Sequence, residues 1–126
     1  MLIFDTSIWI SYFIVEDSNH EKAVKLFASQ AHVGLSEYIL LEIASVLTLK
    51  LDSVTAKNIV EGILDDRKLF FLDSNNIFER TLALYLKLDY RHKLSFVDIS
   101  LIALSRDHKI LSFDKELNKH LDRQAN

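Results

Sequence analysis

Four acidic side chains stand in apolar company where solvation alone does not explain them. Asp5 ends the run LIFD, Glu42 lies within YILLEIASVL, Asp98 within LSFVDISLIALS, and Asp114 follows KILSF. An ionised carboxylate in such surroundings is costly unless it is paired or bound to a cation. No Lys or Arg lies one helical turn from Glu42 or Asp98 to serve as a local partner. Carboxylates and water are the ligands that Mg²⁺ and Mn²⁺ prefer. Cations held in this way activate a water and shield charge developing on a phosphate, and a pair about 3.5–4 Å apart clamps both the attacking and the leaving oxygen. The chemistry these residues would support is metal-assisted hydrolysis of a phosphodiester.

Such a site needs elements that bring the acids together. Residues 2–4 read as a short buried strand ending at Asp5, 32–35 as a brief strand, 69–72 (LFFL) as a strand of the fully buried kind, and 109–112 as the last. A helix or turn is expected over 7–14, and helices over 20–30 with Asn19 as N-cap, 37–50 capped by Ser36, 54–66 capped by Ser53 or Asp52, 75–90, 95–107 and 115–121. Strands alternating with helices at this length predict a three-layer α/β/α sandwich around a short parallel sheet, one domain over 1–126. Ligands of such sheets bind beyond the carboxyl ends of the strands. Asp5 directly follows the first strand and Asp114 lies just past the last, so chain order alone puts both on one edge.

Each acid also has an ordinary structural reading. Ser95 and Asp98 fit a Ser-x-x-Asp capping box, which stabilises a helix start by up to about 1 kcal/mol. Asp114 fits an N-cap, and Glu42, with Ser45 and Thr48 on its stripe, fits the solvent edge of a helix. Asp5 is the hardest to account for in this way.

Composition narrows the field. The chain has no cysteine and no proline, and its glycines are Gly34 and Gly62, so thiolate chemistry, disulfides and Gly-rich phosphate loops are excluded. The net charge is −3, unevenly placed: 4 Lys/Arg against 8 Asp/Glu in 1–63, and 11 against 10 in 64–126. Bulk charge does not suit nucleic-acid binding, but an acidic cleft with local basic rims remains open. The opening MLIFDTSIWI has no basic stretch and an acid at position 5, and no apolar run approaches a membrane span. A cytoplasmic protein that makes no use of a membrane is expected.

LIFDTSIWI, LLEIASVL, LSFVDISLIALS and ILSFDKEL, in this order, closely resemble the four acidic blocks of PIN domains, those of VapC-type toxins most of all, over residues 2 to about 117. The resemblance implies a Mg²⁺- or Mn²⁺-dependent endoribonuclease, the toxin of a toxin–antitoxin pair, with Asp5, Glu42, Asp98 and Asp114 as its acidic quartet. Asp5, Asp98 and Glu42 would be direct or water-mediated ligands, and Asp114 would orient water or hold a second ion. Ser7 matches the small polar position that supports the first acid, and Ser112 the Ser/Thr two residues before the fourth. RNA as substrate, a small DNA-binding antitoxin as partner and a homodimer follow from the same resemblance.

Other features are weighed beside it. Arg80, Lys87, Arg91 and Lys93, interleaved with Tyr85, Tyr90 and His92 and opposed by Asp89, are candidates for RNA contact or a solvated helix end. Trp9, Phe70, Phe71 and Phe113 are expected in the core, and the five histidines at the surface. Two rival enzymes or modules share parts of the pattern. A dehalogenase-type phosphatase would use Asp5 but needs an acid where Ser7 stands. A receiver module could use Asp73 but needs paired acids after the first strand. A PIN fold that only binds RNA or a partner is a third reading, against which four intact acids count.

Overall fold

Four three-residue strands, β1 (Leu2–Phe4), β2 (Val33–Leu35), β3 (Leu69–Phe71) and β4 (Lys109–Leu111), pair in parallel in the order β3-β2-β1-β4. The computed structural model describes residues 1–72, 76–88 and 91–125. Asp73, Asp89 and Tyr90, weighed above, lie outside them. In the register, Ile3 pairs with both Gly34 and Ile110, and Gly34 pairs in turn with Phe70. Ile3, Phe4, Val33 and Leu35 are fully buried, as the central strands of a covered parallel sheet must be.

Among the described residues there are seven helices: α1 (Thr6–Phe13), α2 (His20–Ala28), α3 (Glu37–Lys50), α4 (Ser53–Asp65), α5 (Ile77–Lys87), α6 (Phe96–Leu104) and α7 (Lys115–Ala125). The architecture is the α/β sandwich expected from the sequence. Parallel crossovers are right-handed, so the helices of β1→β2→β3 cover one face and those of β3→β4 the other. The chain thus reverses its direction of travel at β1, which leaves a crevice between the carboxyl ends of β1 and β4.

Ser36 caps α3 through the amide of Ile39, and Asp52 rather than Ser53 caps α4 through Thr55. The core runs from Ile3 and Phe4 through Ile8 and Trp9 of α1, Ile39, Ile43 and Leu47 of α3, and Ile99 to Leu104 of α6.

Three expectations are corrected. LFFL is not a fully buried strand: β3 is the sheet edge, where Phe70 and Phe71 are 44% and 51% exposed. A strand with a neighbour on one side only has less around it to cover its side chains. Asn19 makes no side-chain cap, because its backbone (φ −100°, ψ 10°) is not in the extended conformation an N-cap needs; Asp17 accepts the Asn19 amide at 2.8 Å and closes the turn ahead of α2. His120 is not solvated but 6% exposed, on the inner face of α7 beside Glu116.

Candidate active site

The apolar strand β1 fixes Asp5 at the mouth of the crevice, where its extended backbone makes it the N-cap of α1. Its carboxylate is 4% exposed and accepts from the Ser7 amide at 3.3 Å and the Ser7 hydroxyl at 2.9 Å. The Ser112 hydroxyl donates to the same Oδ2 from across the sheet. Each serine oxygen in turn accepts a backbone proton, Ser7 Oγ from Phe113 at 3.1 Å and Ser112 Oγ from Asp114 at 2.9 Å. One continuous chain of hydrogen bonds therefore ties the β1–α1 corner to the β4–α7 corner. Ser7 and Ser112, at opposite corners, thus both donate to the Asp5 carboxylate. Ser7, where a dehalogenase-type phosphatase needs an acid, is a donor to Asp5.

Asp114 caps α7, its Oδ1 accepting from Glu116 at 2.8 Å and Leu117 at 3.1 Å. Asp98 is the third residue of α6 and closes the capping box: Ser95 Oγ accepts the Asp98 amide, and Asp98 Oδ2 accepts the Ser95 amide, both at 3.0 Å. The capping readings and the cluster are thus compatible. Three helices begin at this crevice, and a helix N-terminus favours a nearby anion by about 0.3–1 kcal/mol. That offsets part of the repulsion among the acids.

Asp5, Glu42, Asp98 and Asp114 line one cavity of ≈ 520 Å³, with Ser7, Thr6, Ser11, Asp17, Lys50 and Phe113 among the other walls. Burial raises the pKa of Glu42 first of all, and the charges of Asp98 and Asp5 raise it further, against the opposing pull of the Thr6 hydroxyl. Burial likewise leads in raising Asp98, with Asp5 and Asp114 adding to it and the Ser95 amide opposing. The acids therefore feel one another across the cavity.

Among the described residues, no Lys or Arg forms an ion pair with any of the four. Nor do three of them close into a ready-made ligand cluster. The donor set nonetheless suits a hard cation, since it consists of carboxylate and hydroxyl oxygens and carries no fixed counter-charge. Thr6 Oγ1, also buried in the cavity wall, acts on Glu42 from beyond the distance of a full hydrogen bond.

The basic candidates lie elsewhere. Arg80 donates to the Ala103 carbonyl at 2.8 Å and pairs with Asp107 at 3.6 Å, pinning α5 to α6. With Lys87 it lines a separate hollow. Arg91 and Lys93 are exposed, in the segment leading to Ser95. Sequence reasoning passed over Thr6, Asp17 and Lys50, and placed Phe113 in the core alone. Thr6, adjacent to Asp5, is the one that position could have flagged.

A family model described as the PIN domain matches residues 2–121. No curated relative matches by sequence. Among solved structures, Mycobacterium tuberculosis VapC20, a sarcin–ricin-loop-cleaving toxin, is similar with a TM-score of 0.79. That likeness covers 94% of each chain at 22% identity, and at such identity it speaks for the fold.

Proposed function

From the premise that this chain belongs to the PIN-domain family, we propose that it is a metal-dependent endoribonuclease, the toxin of a toxin–antitoxin pair. One observation carries the reading: four carboxylates without cationic partners share a cavity at the switch point of a parallel sheet. Mg²⁺ or Mn²⁺ held by Asp5, Asp98 and Glu42 would supply an activated water and charge neutralisation on the phosphodiester. Ser7 and Ser112 fix the Asp5 carboxylate through both hydroxyls, and Ser95 fixes Asp98 through its amide. Asp114 spends Oδ1 on the α7 amides, which leaves its second oxygen to orient a water. Arg91 and Lys93, exposed in the segment leading to Ser95, are the members of the basic 80–93 stretch nearest in sequence to the cavity lining and would meet the RNA backbone there. Among the described residues, no helix is long and apolar enough to cross a membrane.

The purified chain should cut single-stranded RNA in Mn²⁺ and not in EDTA. Its expression should arrest growth unless a small DNA-binding antitoxin is co-expressed. A cationic side chain of that antitoxin would occupy the cation position among the acids. RNA left intact under every divalent ion tried would defeat the proposal.

A homodimer is part of the same proposal. Phe78, Leu82, Tyr85 and Leu86 form one stripe on α5, 37–72% exposed, flanked by Phe96 at ring distances of 6.0 Å from Phe78 and 5.8 Å from Tyr85. Contiguous exposed apolar surface of this kind marks an interface. Sedimentation should show a dimer that Leu82→Asp together with Leu86→Asp converts to a monomer of unchanged circular dichroism. An unchanged sedimentation coefficient would remove α5 from the interface.

A further inference from the structure

The cavity walls are acidic, which poses a problem for a polyanionic ligand. Away from the cation position, carboxylates repel phosphate, so affinity for a single strand has to come from uncharged surface and from cations at the rim. Phe113 is the aromatic residue among those lining the cavity, adjacent in sequence to Asp114. It packs partly against the core and is partly buried where it lines the cavity. Its backbone is fixed: the Phe113 amide donates to Ser7 Oγ at 3.1 Å, the Asp114 amide to Ser112 Oγ at 2.9 Å, and Asn118 Nδ2 to the Ser112 carbonyl at 3.0 Å. A ring held this way offers a contact surface whose ordering costs little on binding.

The ring already carries a cation. Lys22 Nζ, from the exposed first turn of α2, stands 5.3 Å from the Phe113 centroid. Lys50 lines the same cavity from the end of α3. An aromatic face with an exposed ammonium beside it is the pairing that binds single-stranded nucleic acid, the ring for a base and the cation for its phosphate. The cavity's ≈ 520 Å³ falls within the range of about 300–1,000 Å³ that takes a small organic ligand.

We infer that Phe113 is a nucleobase-stacking subsite: a base of the bound strand seats on its ring, and the displaced Lys22 ammonium moves to the neighbouring phosphate. This rests on the ribonuclease reading and specifies where that site grips its substrate. Stacking tolerates any base, because every base presents a π-face.

The test measures binding by fluorescence anisotropy to a labelled uridine decamer and to a decamer of abasic ribose phosphates. The parent carries Asp98→Asn so that cleavage is blocked. Adding Phe113→Leu, which keeps the apolar contact with the core, should weaken the uridine decamer about 10-fold. The abasic decamer should change by less than about 2-fold, since it has no base to stack. Phe113→Trp should restore or tighten uridine binding, and it carries the test alone if Phe113→Leu melts early. Equal losses for both decamers, or no loss for either, would overturn the stacking subsite and leave the ribonuclease reading standing. A parent that binds neither decamer would bring down both.

Discussion

Asp5→Asn and Asp98→Asn should each reduce RNA cleavage by more than about 100-fold while leaving the fold intact. Removing a group that only orients a metal ligand typically costs about 10–100-fold, and loss of the ligand itself should exceed that. The structure supplies both grades of change. Ser7→Ala and Ser112→Ala each withdraw one hydroxyl from the Asp5 carboxylate and belong in the lower range. Stability should hold at position 98, where the asparagine carbonyl still accepts the Ser95 amide, and fall modestly at position 5, where asparagine remains an N-cap but its NH2 meets the two serine hydroxyls that donated to the carboxylate. The assay follows product formation in Mn²⁺ alongside thermal unfolding. An Asp98→Asn protein that cleaves at the wild-type rate would show that the metal site lies elsewhere.

The second large effect concerns stability. Glu42 and Asp98 have pKa values raised in the folded chain, from ordinary values of 4.5 and 3.8, with burial as the leading cause. As pH climbs past the ordinary values, the unfolded chain releases these protons while the folded chain still holds them. Stability from the two groups is therefore present at low pH and lost as pH rises through their raised values. Without divalent ions, Glu42→Gln and Asp98→Asn should raise the melting temperature at pH 7, by an increment that shrinks toward pH 4. Asp52 works in the opposite sense: its pKa is lowered chiefly by the Thr55 amide, and the stability it lends is lost on acidification. The wild-type-to-variant difference is thus the quantity to read.

A cation should reverse the penalty. An ion that binds only the folded state at one hundred times its Kd adds about 2.7 kcal/mol, a rise of roughly 10 °C in Tm for a domain of this size. Mn²⁺ should give wild type such a shift, and should give little to a protein carrying both Asp5→Asn and Asp98→Asn. Equal shifts in the two would place the ion outside the crevice.

Much of this site was legible because its determinants are local. Asp5 and Asp114 could be placed together from strand ends and chain order, with no knowledge of side chains. The Ser95–Asp98 box and the Ser36 cap are fixed within three residues of sequence, and both formed as read. What escaped depends on partners distant in the chain. LFFL looks the same at the centre of a sheet as at its edge, and only the strand order exposes Phe70 and Phe71. Arg80 read as a surface cation, yet the Ala103 carbonyl that claims it is 23 residues away. Lys50 reaches the cavity from the end of α3 and Asp17 from the α1–α2 turn, where it accepts from Ser11, and no periodicity in their own segments announces either.

The hydrogen-bond chain between the two corners has a consequence for when the protein becomes active. Asp5 and Ser112 are separated by 107 residues, and β1 lacks one of its two sheet neighbours until β4 arrives. During translation Asp5, the first of the proposed catalytic carboxylates, therefore emerges long before the hydroxyl that holds it, and Asp114 is made later still. A nascent chain carries an unfinished nuclease: three of its acids are synthesised, but the crevice has only one wall. For an enzyme proposed to attack RNA, this order of synthesis shields the message and the ribosome producing it. The blade is assembled from segments made far apart in time, and only once both have emerged from the machine that made them.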